Sequence, residues 1–204
     1  MRSNMMLLMA AAIWGLGFVA QRLGMDHMGP FTFNGLRFLL GALSLLPLLW
    51  WLKSRQPRPQ PGSPSGDRRL LLAGGLIAGG VLFSAASLQQ VGLLYTTAAK
   101  AGFITGLYII LVPVIGLALR HKTGANTWIG ALIAMAGLYY LSVTEEFTIG
   151  YGDLLQVIGA LFWAIHLLVL DHYSNRVAPI RLAGVQFVVC GLLSLGTAFV
   201  IETP

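Results

Sequence analysis

Ten side chains in this sequence could do chemistry, and all ten sit inside apolar runs: Trp14, Phe18, Arg37, Gln89, Gln90, Thr105, Tyr108, Trp163, His166 and Gln186. The chemistry is recognition rather than bond making. Arg37 carries a permanent charge on a planar fork of donors, and such a group is costly in hydrocarbon. It lies roughly 9 Å along a helix from Phe31, so its stem could carry the charge out to the interface. We expect it instead to face inward, toward backbone carbonyls, Gln89 or Gln90, or the anionic group of a bound solute. His166, one turn after Trp163, titrates near physiological pH. It reads either as a proton carrier or as a hydrogen-bonded packing residue.

Trp14 and Trp163 fall at mid-run, away from the interfacial level that tryptophan favours. Cavity walls and plain packing both account for that position. Phe18 lies on the same run as Trp14. The amides of Gln89 and Gln90 need partners, so at least one should face an interior. Thr105 and Tyr108 lie about one turn apart, with Pro113 beyond them to free a carbonyl and kink the helix. His166 and His172 are six residues apart and so fall on different faces, which argues against a metal pair. No catalytic residue, metal site or cofactor is expected.

The runs that must position these residues dominate the composition. Of 204 residues, 56% are hydrophobic and only 10% charged, with a mean hydropathy of +0.77. A soluble domain carries about 25% charged residues. The chain therefore reads as an integral membrane protein whose partner is the lipid bilayer. The net charge of +6 is not a nucleic-acid signal, because the basic residues fall between apolar runs. Cys190 is the single cysteine, so no internal disulfide can form.

Seven runs approach the roughly 20 residues of a spanning helix: Met5–Gln21, Phe31–Leu52, Leu70–Leu94, Ala98–Leu119, Thr127–Val143, Leu154–Leu170 and Leu182–Ile201. The first reads as a retained helix rather than a signal peptide, with Thr97 as the cap of the fourth. Lys and Arg crowd one side of this arrangement: Arg2, then Lys53, Arg55, Arg58, Arg68 and Arg69, then Arg120 and Lys122, then Arg176 and Arg181. The other side holds Arg22 and Lys100, with Glu145 and Glu146 in a loop without basic residues. The bias predicts a cytoplasmic N-terminus. The stretch 53–69 is rich in Pro, Gly and Arg and is expected to be a disordered cytoplasmic loop. Small-residue stripes at Gly75 and Gly79, Gly102 and Gly106, and Gly130, Ala134 and Gly137 would let helices pack closely.

An offset of 149 residues superposes Trp14 on Trp163, Pro30 on Pro179, Gly35 on Gly184, Arg37 on Gln186 and Phe38 on Phe187. The offset covers five spans. An odd number inverts the second copy in the membrane, a construction typical of secondary transporters. The fold class expected is all-α: a multi-pass transmembrane helical bundle of inverted five-helix repeats. The first repeat would be 1–144, and 150–204 an incomplete second one with two spans.

The stretches "AAIWGLGFV", "GPFTFNGLRFLLGAL", "LQQVGLLYTTAAKAGFITGLYIILVPVIGLAL" and "GALFWAIHLLVLDHYS" resemble the drug/metabolite transporter superfamily, in particular the EamA-type ten-helix carriers. The third of these is the most specific. The resemblance implies an inner-membrane carrier of a small metabolite, often an amino-acid exporter, with a central cavity between two five-helix units. It also implies an arginine at the position of Arg37. The chain departs from the pattern by stopping after the seventh span. It then reads as a fragment, a truncated product, or a chain completed by association, as a homo-oligomer or with C-terminal helices from elsewhere.

The function expected is transport of a small polar or amphiphilic metabolite by alternating access. The absence of Asp and Glu from the span interiors argues against a cationic-drug antiporter. A non-transporting membrane subunit or assembly partner is the alternative. A membrane enzyme would need converging His, Asp or Glu residues that the spans do not supply.

Overall fold

The computed structural model describes residues 2–55, 68–120, 123–142 and 150–202. Among them are eight helices and no strand: α1 Arg2–Gly24, α2 Pro30–Arg55, α3 Arg68–Gly92, α4 Ala98–Gly106, α5 Tyr108–Ala118, α6 Ala125–Ser142, α7 Tyr151–Ser174 and α8 Pro179–Ile201. Six stretches are long and apolar enough to cross a membrane, with α4 and α5 together forming one of them. The seventh expected span falls on α6, whose apolar part, Ala125–Gly137, is shorter. The all-α transmembrane bundle is therefore as expected. The loop expected over 53–69 is trimmed at both edges, because α2 runs on through Arg55 and α3 begins at Arg68. Residues 56–67 lie outside the described residues, as do Glu145 and Glu146.

Helix α3 is the centre of the bundle. It packs most extensively against α7 and α8 and meets α2 where Asn34 bonds the Ala86 carbonyl. Glycines set these approaches. A Cβ on Gly79 would lie 2.6 Å from Cβ of Val189 on α8, and Gly75 turns the same way onto Val185. On the α2/α8 contact, a Cβ on Gly35 would lie 2.5 Å from Leu195, and one on Gly191 2.7 Å from Leu39. These are the close approaches that small residues permit between membrane helices. The stripes at Gly102, Gly130 and Gly137 behave differently, since a Cβ at any of them would meet nothing within 4 Å.

Polar ties fasten one end of the bundle. Glu202, at the end of α8, accepts from the backbone N–H of Phe31 at 2.6 Å and of Thr32 at 3.0 Å. Its carboxylate satisfies donors that the first turn of α2 leaves without intrahelical partners. Arg22 Nη1 donates to the Leu93 carbonyl at 2.7 Å, joining α1 to the end of α3. Thr97 caps α4 by accepting from the Lys100 N–H at 3.2 Å, as expected. Lys100 pairs with Asp153 at 3.3 Å and Thr96 Oγ1 donates to the same carboxylate, which ties α4 to the start of α7.

The fourth span is interrupted at Leu107. Its N–H donates to Ile104 O at 3.1 Å, and the Ile110 N–H donates to Leu107 O at 3.0 Å. Both are i to i−3 bonds, tighter than the α-helical pattern. The interruption therefore lies upstream of Pro113, which sits inside a continuous α5.

Candidate functional site

The described helices bring most of the ten residues into two groups on different faces of α3. The first group is aromatic and amide. Trp14 of α1, Tyr108 of α5 and Trp163 of α7 meet around one point, with ring centroids 5.6 Å apart for Trp14 and Tyr108 and 6.4 Å for Trp14 and Trp163. Trp14 is 41% exposed, so this cluster opens to the side of the bundle. The break at Leu107 lies directly before Tyr108.

Hydrogen bonds hold this group to α3. Trp163 Nε1 donates to Gln89 Oε1 at 2.8 Å, and Gln89 Nε2 donates to Gln21 Oε1 at 3.1 Å. Gln156 donates to the Gln89 carbonyl at 2.9 Å and accepts from Thr105 Oγ1 at 3.3 Å. Gln89 is thus engaged through both side-chain atoms and its carbonyl, and ties α1 and α7 to α3, with α4 joined through Gln156. His166 lies edge-on to Trp163, at 5.9 Å, and pairs through Nε2 with Gln186 Oε1 of α8 at 2.8 Å. His166 Nδ1 is sealed and has no partner. Phe18 lies apart from these rings, in an apolar cluster with Leu93 and Ala101.

The second group lies where α2, α3 and α8 meet. Arg37 donates from Nη2 to Asn34 Oδ1 at 2.9 Å, while Asn34 Nδ2 donates to the Ala86 carbonyl at 3.1 Å. The guanidinium also sits over the Phe38 ring, 4.7 Å from its centroid, and 5.7 Å from that of Phe33. Arg37 does face inward, but its partner is Asn34 rather than Gln89 or Gln90. Gln90 is fully buried, and neither of its amide atoms has a partner.

The offset of 149 residues can be set beside the ring contacts. Two of the pairs it superposes are in contact: Trp14 with Trp163, and Phe38 with Phe187 at 5.7 Å. Arg37 and Gln186, also superposed, have separate partners.

Sequence reasoning missed Gln21, Asn34, Gln156 and the Lys100–Asp153 pair. The first three carried the same signal as Gln89, an amide inside or at the edge of an apolar run. Asp153 lies outside the apolar run of the sixth span because the first turn of α7 begins before that run does. Among the described residues no group of three or more His, Cys, Asp or Glu could hold a metal ion.

Against known proteins, residues 1–143 match the model of the EamA-like transporter family. The chain is 34% identical to an uncharacterized transporter of Archaeoglobus fulgidus over 87% of its own length and 51% of that protein's. It is 30% identical to the uncharacterized transporter YetK of Bacillus subtilis, over 66% of this chain and 39% of YetK. An uncharacterized transporter of Synechocystis is 25% identical over 98% of this chain and 64% of its own length. The chain thus spans about half the length of the curated relatives it matches. No solved structure gives a significant match.

Proposed function

The chain belongs to the EamA-like transporter family, and from that premise we propose that it carries a small polar or amphiphilic metabolite, such as an amino acid, across the inner membrane. The mechanism is alternating access, the direction export and the N-terminus cytoplasmic. The first unit is 1–144, and 150–204 belongs to a second unit of inverted topology.

The observation that carries this reading is the Trp14–Tyr108–Trp163 cluster tied to Gln89. Three aromatic faces from three helices make an apolar wall, and the amides beside them supply orientation. Ligand sites are built this way, mostly apolar with a few placed polar groups. The interrupted helix between Thr105 and Tyr108 places irregular backbone at this wall, as in transporters whose broken helices line the substrate path. The contacts between superposed pairs support the inverted arrangement.

The test is counterflow. The protein in liposomes preloaded with one unlabelled amino acid, sugar or nucleoside at a time is presented with the labelled compound outside. Saturable accumulation above that of empty liposomes, for at least one amino acid, is the expected result. Accumulation of none of the panel refutes the metabolite-carrier reading.

A further inference from the structure

Every sealed, unpartnered polar atom found among the described residues, His166 Nδ1 excepted, lies on one of the three helices that form the α2/α3/α8 seam. They are Arg37 Nε on α2, Ser87 Oγ and both amide atoms of Gln90 on α3, and Ser194 Oγ on α8. Ser87, Gln90 and Ser194 are each at least nine-tenths buried. Unpaired polar groups at such positions are costly, and a concentration of them on one seam calls for a ligand.

The register brings them to neighbouring depths along the seam. The Arg37–Asn34–Ala86 chain of bonds holds the guanidinium at the level of Ala86, with Ser87 next in sequence and Gln90 one turn on. On the α8 side, Leu39 packs on Gly191 and Gly35 on Leu195. Arg37 lies between these two contacts, as Ser194 does on the opposite helix.

The charge is one-sided. Arg37 has no carboxylate partner among the described residues: Asp153 is held by Lys100 and Thr96, and Glu202 by the first turn of α2. The donors left open are a charged N–H, two hydroxyls and an amide. Beside them lie the Phe38 and Phe187 rings. We propose that this seam is a binding site for a small amphiphilic monocarboxylate, distinct from the aromatic–amide cluster, with the carboxylate on Arg37, Ser87, Gln90 and Ser194 and the apolar body against Phe38.

The site is tested by binding alone, without reference to transport. The purified protein in detergent is titrated with sodium benzoate, sodium acetate and leucine, with benzamide as the uncharged isostere of benzoate, and melting temperature and affinity are read. Benzoate is expected to give a saturable upward shift and benzamide none. Arg37→Gln is expected to weaken benzoate by about 10- to 100-fold, the loss of a charge-assisted hydrogen bond, and Arg37→Lys by less. Gln90→Glu, nearly isosteric, supplies a resident carboxylate; it is expected to raise the melting temperature and abolish benzoate binding. Lys100→Gln removes a cation elsewhere and should leave binding as in the wild type.

If Arg37→Gln fails to fold, Gln90→Glu carries the test. The proposal is overturned by equal shifts with benzoate and benzamide, or by no saturable shift with any carboxylate. It is overturned too by benzoate binding that survives Gln90→Glu, or by stabilisation with phosphatidylglycerol micelles and not with carboxylates, which would make the seam a lipid site.

Discussion

Gln89 and Gln90 are neighbours in sequence and opposites in environment. Gln89 is 2% exposed and bonded on every side, to Gln21, Trp163 and Gln156. Gln90 is 0% exposed and bonded to nothing through its side chain. One step along a helix turns a side chain by about 100°, enough to move it from the α1/α7 face to the α2/α8 face. The difference teaches that α3 carries two kinds of polar burial. On one face the amides are spent on cross-linking helices, and what remains for a solute is aromatic surface. On the other an amide, two hydroxyls and the Nε of the guanidinium are left open.

The largest effect should come from closing the gap on which the second face depends. Gly79→Val puts a branched side chain against Val189 and the Gln186 carbonyl, and should destabilise the bundle by about 2–3 kcal/mol, read as a lowered midpoint in mixed-micelle unfolding. A destabilisation no larger than that of Gly102→Val, where nothing stands within 4 Å, would break the account of how α3 and α8 meet.

The paired leucine substitutions sharpen the comparison by sign. Gln89→Leu strands Gln21 Oε1 and the Trp163 N–H, and should cost about 1–2 kcal/mol. Gln90→Leu removes an amide that has no partner and should be neutral or stabilising by about 1 kcal/mol. Equal losses in the same unfolding assay would erase the distinction between the faces.

The smallest effect is expected away from both faces. Lys100 is part-exposed where it meets Asp153, so Lys100→Met should lower stability by about 0.5–1 kcal/mol, and by less as salt is raised. A larger, salt-insensitive loss would mean that the α4–α7 tie contributes more to the fold than either face of α3.

Much of this fold was legible because apolar runs of spanning length leave few alternatives. The Thr97 cap followed from a hydroxyl placed just before a helix, whereas the offset that superposes Trp14 on Trp163 said nothing of their contact. What could not be read was azimuth. Nothing in "LQQVG" says which glutamine meets α7, because that depends on where α7 and α2 stand around α3. Asn34 intercepts Arg37 from one turn away, a pairing open to i and i+3 residues that the sequence offered as readily as a longer reach to Gln89. The break in the fourth span falls at Leu107, not at the proline, so composition marked the right span but not the right turn.

The central claim is that the aromatic–amide face is where a transported solute is held. The most direct measurement is counterflow of the best amino-acid substrate in liposomes with Trp14→Ala, Trp163→Ala and wild-type protein side by side, each checked for its melting temperature. Because the two rings meet edge-on in the same wall, both substitutions should cut counterflow by about 10-fold or more in proteins that remain folded. Wild-type counterflow in either folded variant would contradict the claim.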